Sequence, residues 1–66
     1  MYIDAKKLKI FMARKCLSMK GLSEVSGVTP LTISKAINGR NARTDTVGLL
    51  AQALGVDPSE IIKEEQ

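Results

Sequence analysis

The feature that most constrains this chain is the spacing of its helix start and stop signals. Residues 27–39 read GVTPLTISKAING. Thr29 suits the N-cap of a helix, Pro30 its first position, and Gly39 the left-handed backbone on which helices commonly end. The short helix so bounded has two strong core formers, Ile33 and Ile37. On a wheel of about 100° per residue these two and Ala36 lie along one edge. Leu31, Lys35 and Asn38 point the opposite way, flanked by Thr32 and Ser34. A helix held by so thin an edge is expected to work through its outer face.

The same signals recur along the chain. Asp4 suits the N-cap of a segment over about 4–15, with Ile3 and Leu8 at hydrophobic-staple positions and Leu8, Phe11 and Met12 inward. Ser18 opens a second segment that ends near Ser26, before Gly27, with Leu22 and Val25 as its inner edge and Val28 turned inward. A fourth covers about 44–54, with Val47, Leu50, Ala51 and Leu54 as its apolar stripe, Gly55 as its stop and Gly48 in its interior. A fifth starts at DPSEII, where Asp57 caps, Pro58 follows and Glu60 completes a capping box. The expectation is an all-α, compact five-helix domain over 1–66, with no strand, a core at about 4–62 and a frayed end at 63–66. Connections of two to five residues suit such a bundle.

Composition removes several function classes. The chain has no His, so Cys16 and the serines lack an imidazole base. It shows no metal-ligand cluster and no Gly-rich phosphate loop. Catalysis is therefore not expected, nor a cofactor, a metal or a small-molecule ligand. A single cysteine rules out an internal disulfide and suits a reducing compartment. Cys16 itself reads as a half-buried, inert thiol. No apolar run approaches the roughly 20 residues that span a bilayer, and the N-terminus lacks a signal-peptide core. The expectation is a cytoplasmic protein with no membrane partner.

Charge is unevenly placed. Residues 1–43 carry +7 and residues 44–66 carry −4, so a polyanion-facing surface is separated from a face with other work. Any surface helix turns polar groups outward, so the 30–38 face alone leaves a solvated surface and a DNA-reading surface equally open. The residues after it favour DNA. NGRNAR sets Asn38, Arg40, Asn41 and Arg43 in one loop, where guanidinium groups and backbone N–H groups suit phosphate. Ser18 and Lys20 add a helix N-terminus and a cation.

The stretches LSMKGLSEVSGVTPLTISKAINGR and TVGLLAQALGVDPSEII resemble the Xre/Cro-repressor family, the lambda-repressor-like DNA-binding domains, over about residues 4–62. The resemblance implies a helix-turn-helix formed by the second and third helices, with the third in the major groove. It implies base-reading positions at Pro30, Leu31, Thr32, Ser34 and Lys35. Phosphate positions fall at Ser18, Lys20, Thr29, Asn38, Arg40, Asn41 and Arg43. The partner implied is double-stranded DNA, bound as a homodimer on an inverted-repeat operator, with dimer contacts on the fourth and fifth helices.

The chain departs from the family's pattern in three places. Met19 stands where a phosphate-binding Gln is common, and Pro30 where a polar base reader is common, which shifts readout to Leu31, Thr32 and Lys35, with Leu31 suited to a thymine methyl. Met12 and Ile37 replace a frequent Arg–Glu pair and are expected to be buried against each other. The alternative is a helical protein-interaction module, or an antitoxin-type partner, that keeps the fold without binding DNA. Met19, Pro30 and the outward Leu31 lean that way.

Overall fold

The computed structural model describes residues 1–63. Four α-helices run in chain order: α1 (Ala5–Arg14), α2 (Met19–Ser26), α3 (Pro30–Ile37) and α4 (Thr44–Leu54). A 3-10 turn follows at Pro58–Glu60. The expected caps form. The Asp4 carboxylate accepts from the Lys6 and Lys7 amides, the Ser18 hydroxyl from Gly21 N–H, and the Thr29 hydroxyl from Thr32 N–H.

The core is aliphatic. Leu8, Leu22, Ile33, Leu50 and Ile61 are fully buried, joined by Ile3, Val47, Ala51 and Leu54. α4 packs against α2 and the 3-10 turn, and α2 packs against α3. The recognition-type helix thus lies at the margin of the bundle, which is why its core edge is thin. Among the described residues, every buried side-chain polar atom has a hydrogen-bond partner.

The structure corrects several expectations. The fifth helix is a single 3-10 turn, so the described residues form four α-helices. Asp57 caps that turn as expected, but Ser59 closes it through its amide and hydroxyl. The chain then extends so that Ile62 forms an antiparallel bridge with Ile3. Asp4 N–H donates to Ile61 C=O and Lys63 N–H to Tyr2 C=O, each at 2.8 Å. Lys63 therefore pairs its backbone, and the rest of the stretch read as a frayed end, 64–66, lies outside the described residues.

On α2 the inner edge is Leu22 and Ser26, and Val25 is 59% exposed. Leu22 and Ser26 are one i,i+4 row, whereas Val25 falls to its solvent side. On α3 the buried pair is Ile33 and Ala36. Ile37 is only half-buried, while Met12 is buried, so the expected fully buried Met12–Ile37 pair is not complete.

Cys16 is exposed and takes a left-handed backbone at φ 56°. It ends α1 in the place glycine usually fills: Cys16 N–H bonds Ala13 C=O at 3.0 Å and Leu17 N–H bonds Met12 C=O at 2.9 Å. At the end of α4, Gly55 adopts the same left-handed conformation, and a Cβ there would sit 3.6 Å from the Lys15 Nζ. That ammonium lies at the negative end of the α4 dipole. Gly48 has open space around it, so no close packing demands a glycine there.

Candidate nucleic-acid interface

The turn between α2 and α3 sets the geometry of the site. Gly27 leaves α2 in the left-handed region, φ 78°, so the chain reverses within three residues. Val28 then plugs into the core and is 6% exposed. Its peptide groups are tied on both sides by serines of α2. Ser23 Oγ donates to Val28 C=O at 2.6 Å, and Val28 N–H donates to Ser26 Oγ at 3.2 Å. These two bonds were not legible, because nothing in a single sequence shows that a serine faces the following turn.

α3 leaves this turn with its outer face open. Leu31 is 65% exposed at the centre of that face. Pro30 and Lys35 are also exposed, and Thr32 and Ser34 are half-buried on its flanks. The Thr29 hydroxyl donates to Thr32 Oγ1 at 2.8 Å while accepting the Thr32 amide. Asn38 Nδ2 reaches back to Ser34 Oγ at 3.5 Å.

The following loop folds against α3 instead of trailing from it. Gly39, φ 91°, ends the helix, with Gly39 N–H on Ala36 C=O and Arg40 N–H on Lys35 C=O. Ala42 N–H donates to Met1 C=O at 2.6 Å, and the Met1 amino group donates to Asn41 Oδ1 and to Ala42 C=O. The amides of Asn38, Gly39, Arg40 and Ala42 are thus spent within the protein. This narrows the expectation of exposed loop N–H groups beside the guanidiniums to the amides of Asn41 and Arg43.

The result is a cleft of about 360 Å³ lined by Thr32, Lys35, Arg40, Asn41, Arg43 and Thr46, with alanines at its floor. It draws together five of the residues singled out from sequence for phosphate or base contact, Thr32 and Lys35 from α3 and Arg40, Asn41 and Arg43 from the loop. Thr46, on the first turn of α4, was not among them. Ser18 and Lys20 lie apart from the cleft, on the first turn of α2, with Lys20 exposed. Met19 is half-buried against the core, so it braces α2 where a polar side chain would face a ligand.

One acid stands beside these cations. Asp45 Oδ1 lies 3.6 Å from Arg43 Nε, with both side chains largely exposed, and also accepts from Thr46 N–H at 2.8 Å. Arg43 precedes α4 without capping it through its side chain, so Asp45 supplies the negative charge that the helix N-terminus favours. Among the described residues no group of His, Cys, Asp and Glu could hold a metal, and no helix is long and apolar enough to cross a membrane.

Comparison with known proteins agrees with this geometry. A family model described as Helix-turn-helix, HTH_3, matches residues 8–61. A restriction-modification controller protein, C.AhdI from Aeromonas hydrophila, is 28% identical, with a TM-score of 0.76 over 85% of this chain and 86% of that one. Part of a mutant hydroxyethylphosphonate dioxygenase superposes on the whole chain with a TM-score of 0.86 at 21% identity. A second structure, Phpd with cadmium and hydroethylphosphonate, gives 0.84 at 21% identity. The chain spans only 14% of the length of each of those two proteins, and the likeness is one of fold. A search of curated proteins gave no match.

Proposed function

This chain belongs to the Helix-turn-helix family of Xre and lambda-repressor-like domains, and from that premise we propose that it is a sequence-specific, double-stranded-DNA-binding transcription regulator of bacterial or phage type. α3 enters the major groove and presents Pro30, Leu31, Thr32, Ser34 and Lys35 to base edges. Arg40, Asn41 and Arg43 hold the phosphates on one flank, with Asn38 and Thr29 at the two ends of α3. Ser18 and Lys20 hold the backbone at the N-terminus of α2. Repression follows from occupancy, since a domain of this size blocks a promoter by sitting on it. The protein acts without catalysis, in the cytoplasm, as a homodimer on an inverted repeat whose half-sites lie about 34 Å apart or a multiple of that. The dimer contact uses α4 and the 3-10 turn, where basic charge thins out and Leu49 is exposed.

The observation that carries this reading is the convergence of Lys35, Arg40 and Arg43 on one cleft beside an α3 face that is open to solvent. Its test is selection from a randomised duplex pool at two salt concentrations. Recovery of an inverted repeat is expected, with affinity falling by a log–log slope of about −3 per protomer for three or four neutralised phosphates. A second reading has its own support: Val25 and Leu31 are the two most exposed of the large apolar side chains. A protein-docking or antitoxin-type role would use them, and binding to a protein through them would be nearly independent of salt.

A further inference from the structure

Resting on the placement of α3 in the major groove, we propose that each operator half-site presents guanine and thymine edges to α3, and that neither adenine N6 nor cytosine N4 is read by this helix. The amino groups of adenine and cytosine need acceptors, supplied by Asn or Gln for adenine and by Asp or Glu for cytosine. α3 contains none of these four residue types. Its only side-chain acceptors are the hydroxyls of Thr32 and Ser34, both half-buried, each with one of its two lone pairs taken, by Thr29 at 2.8 Å and by Asn38 at 3.5 Å, and neither has the paired donor and acceptor with which an amide reads adenine. With its oxygen held by Thr29, the Thr32 hydroxyl has its own hydrogen left to donate. Lys35 is exposed and can only donate. Leu31, 65% exposed, and Pro30, which has no N–H, offer apolar surface alone.

A face of donors and apolar carbon complements two major-groove edges. Guanine offers the paired acceptors O6 and N7, and thymine offers O4 beside a methyl group. Lys35 takes the guanine, and Leu31, with Pro30 beside it, takes the thymine methyl. Thr29 has no base to touch in this arrangement; it is a positioning residue that sets the hydroxyl of Thr32 as a donor.

The experiment uses the full chain and the half-site recovered by selection. Failure to recover any duplex would remove the placement of α3 itself, separately from this proposal. On the recovered duplex, each thymine is replaced in turn by deoxyuridine and each guanine by 7-deazaguanine, and affinity is read by fluorescence anisotropy. One deoxyuridine position is expected to weaken binding about fourfold, as loss of one buried methyl implies. That sensitivity should vanish in Leu31→Ala. A 7-deazaguanine position should weaken wild type about fivefold or more and leave Lys35→Met unaffected. Both side chains are exposed, so circular dichroism should report an intact fold in each variant. A loss of affinity when an adenine facing α3 is replaced by purine, which removes only the N6 amino group, or no loss at any deoxyuridine or 7-deazaguanine position with affinity intact, overturns the proposal.

Discussion

Replacing Ser26 by alanine would test whether side-chain hydrogen bonds hold the turn between α2 and α3. Ser26 is 7% exposed and accepts the Val28 amide, itself buried. Alanine removes one oxygen and leaves almost no void, so the cavity contribution is small. What remains is a buried N–H without a partner, which costs about 1–3 kcal/mol. Alanine is the better helix former at the last residue of α2, a gain of up to about 0.5 kcal/mol. Desolvation wins, and the net loss should be about 0.5–2.5 kcal/mol. A domain of this length has a total stability of about 3–10 kcal/mol, so the change is large. It corresponds to a fall in Tm of about 2–20 °C. Urea denaturation followed by far-UV circular dichroism measures it, with Lys9→Ala on the exposed face of α1 as a control expected to stay within about 0.5 kcal/mol. A Ser26→Ala loss below about 0.5 kcal/mol would refute the reasoning and show that the packing of Val28 alone sets the turn.

Three further outcomes follow from the same structure. Cys16→Gly should stabilise the domain by about 0.5–1 kcal/mol, because the left-handed backbone at that position disfavours any side chain, and Cys16→Val should destabilise it; thermal melts under reducing conditions read both. Asp45→Asn should tighten binding to any duplex and steepen its salt dependence, since the carboxylate beside Arg43 competes with phosphate; equal affinity and slope in anisotropy titrations would count against it. Hydrogen bonds from the Ser59 hydroxyl and amide hold the Asp57 carboxyl below its ordinary value of 3.8. A depressed folded-state value means this stabilisation is present above about pH 4 and is lost as pH falls through the folded value, so Asp57→Asn should flatten the acid limb of the stability curve.

The helix boundaries were legible because caps are local chemistry. Asp4, Ser18, Thr29, Pro30, Gly39 and Gly55 announce their roles within four residues of themselves. The stripe on α4 was legible because a helix buried between α2 and the 3-10 turn repeats its apolar residues with a helical period. What escaped depends on distant partners. Ile62 pairs with Ile3, and this bridge holds Ile61 in the core after one 3-10 turn where a longer helix was expected. Ser26 is buried where Val25 was expected, because its hydroxyl takes the Val28 amide, and hydrophobicity alone cannot register that demand. Cys16 stands in a left-handed position usually held by glycine, so the signal for that cap was missing.

In the site, Arg40, Asn41 and Arg43 were legible as a cluster because they crowd one loop, and Lys35 was legible on the outer face of α3. Thr46 entered only when α4 was packed beside the loop. Four of the amides of 38–43 escaped the reading for the same reason: the carbonyls that consume them belong to α3 and to Met1.

The measurement that tests the account most directly is amide chemical-shift mapping of the 15N-labelled protein with a selected duplex. The account predicts that the largest shifts fall on Leu31–Lys35, on 38–43 and on the first turn of α2. Lys6, Lys7 and Lys9 on α1 should stay near their unbound positions despite their charge. Shifts centred on α1, or none while the duplex is present in excess, would contradict the assignment of α3 and its cationic cleft as the DNA-reading surface.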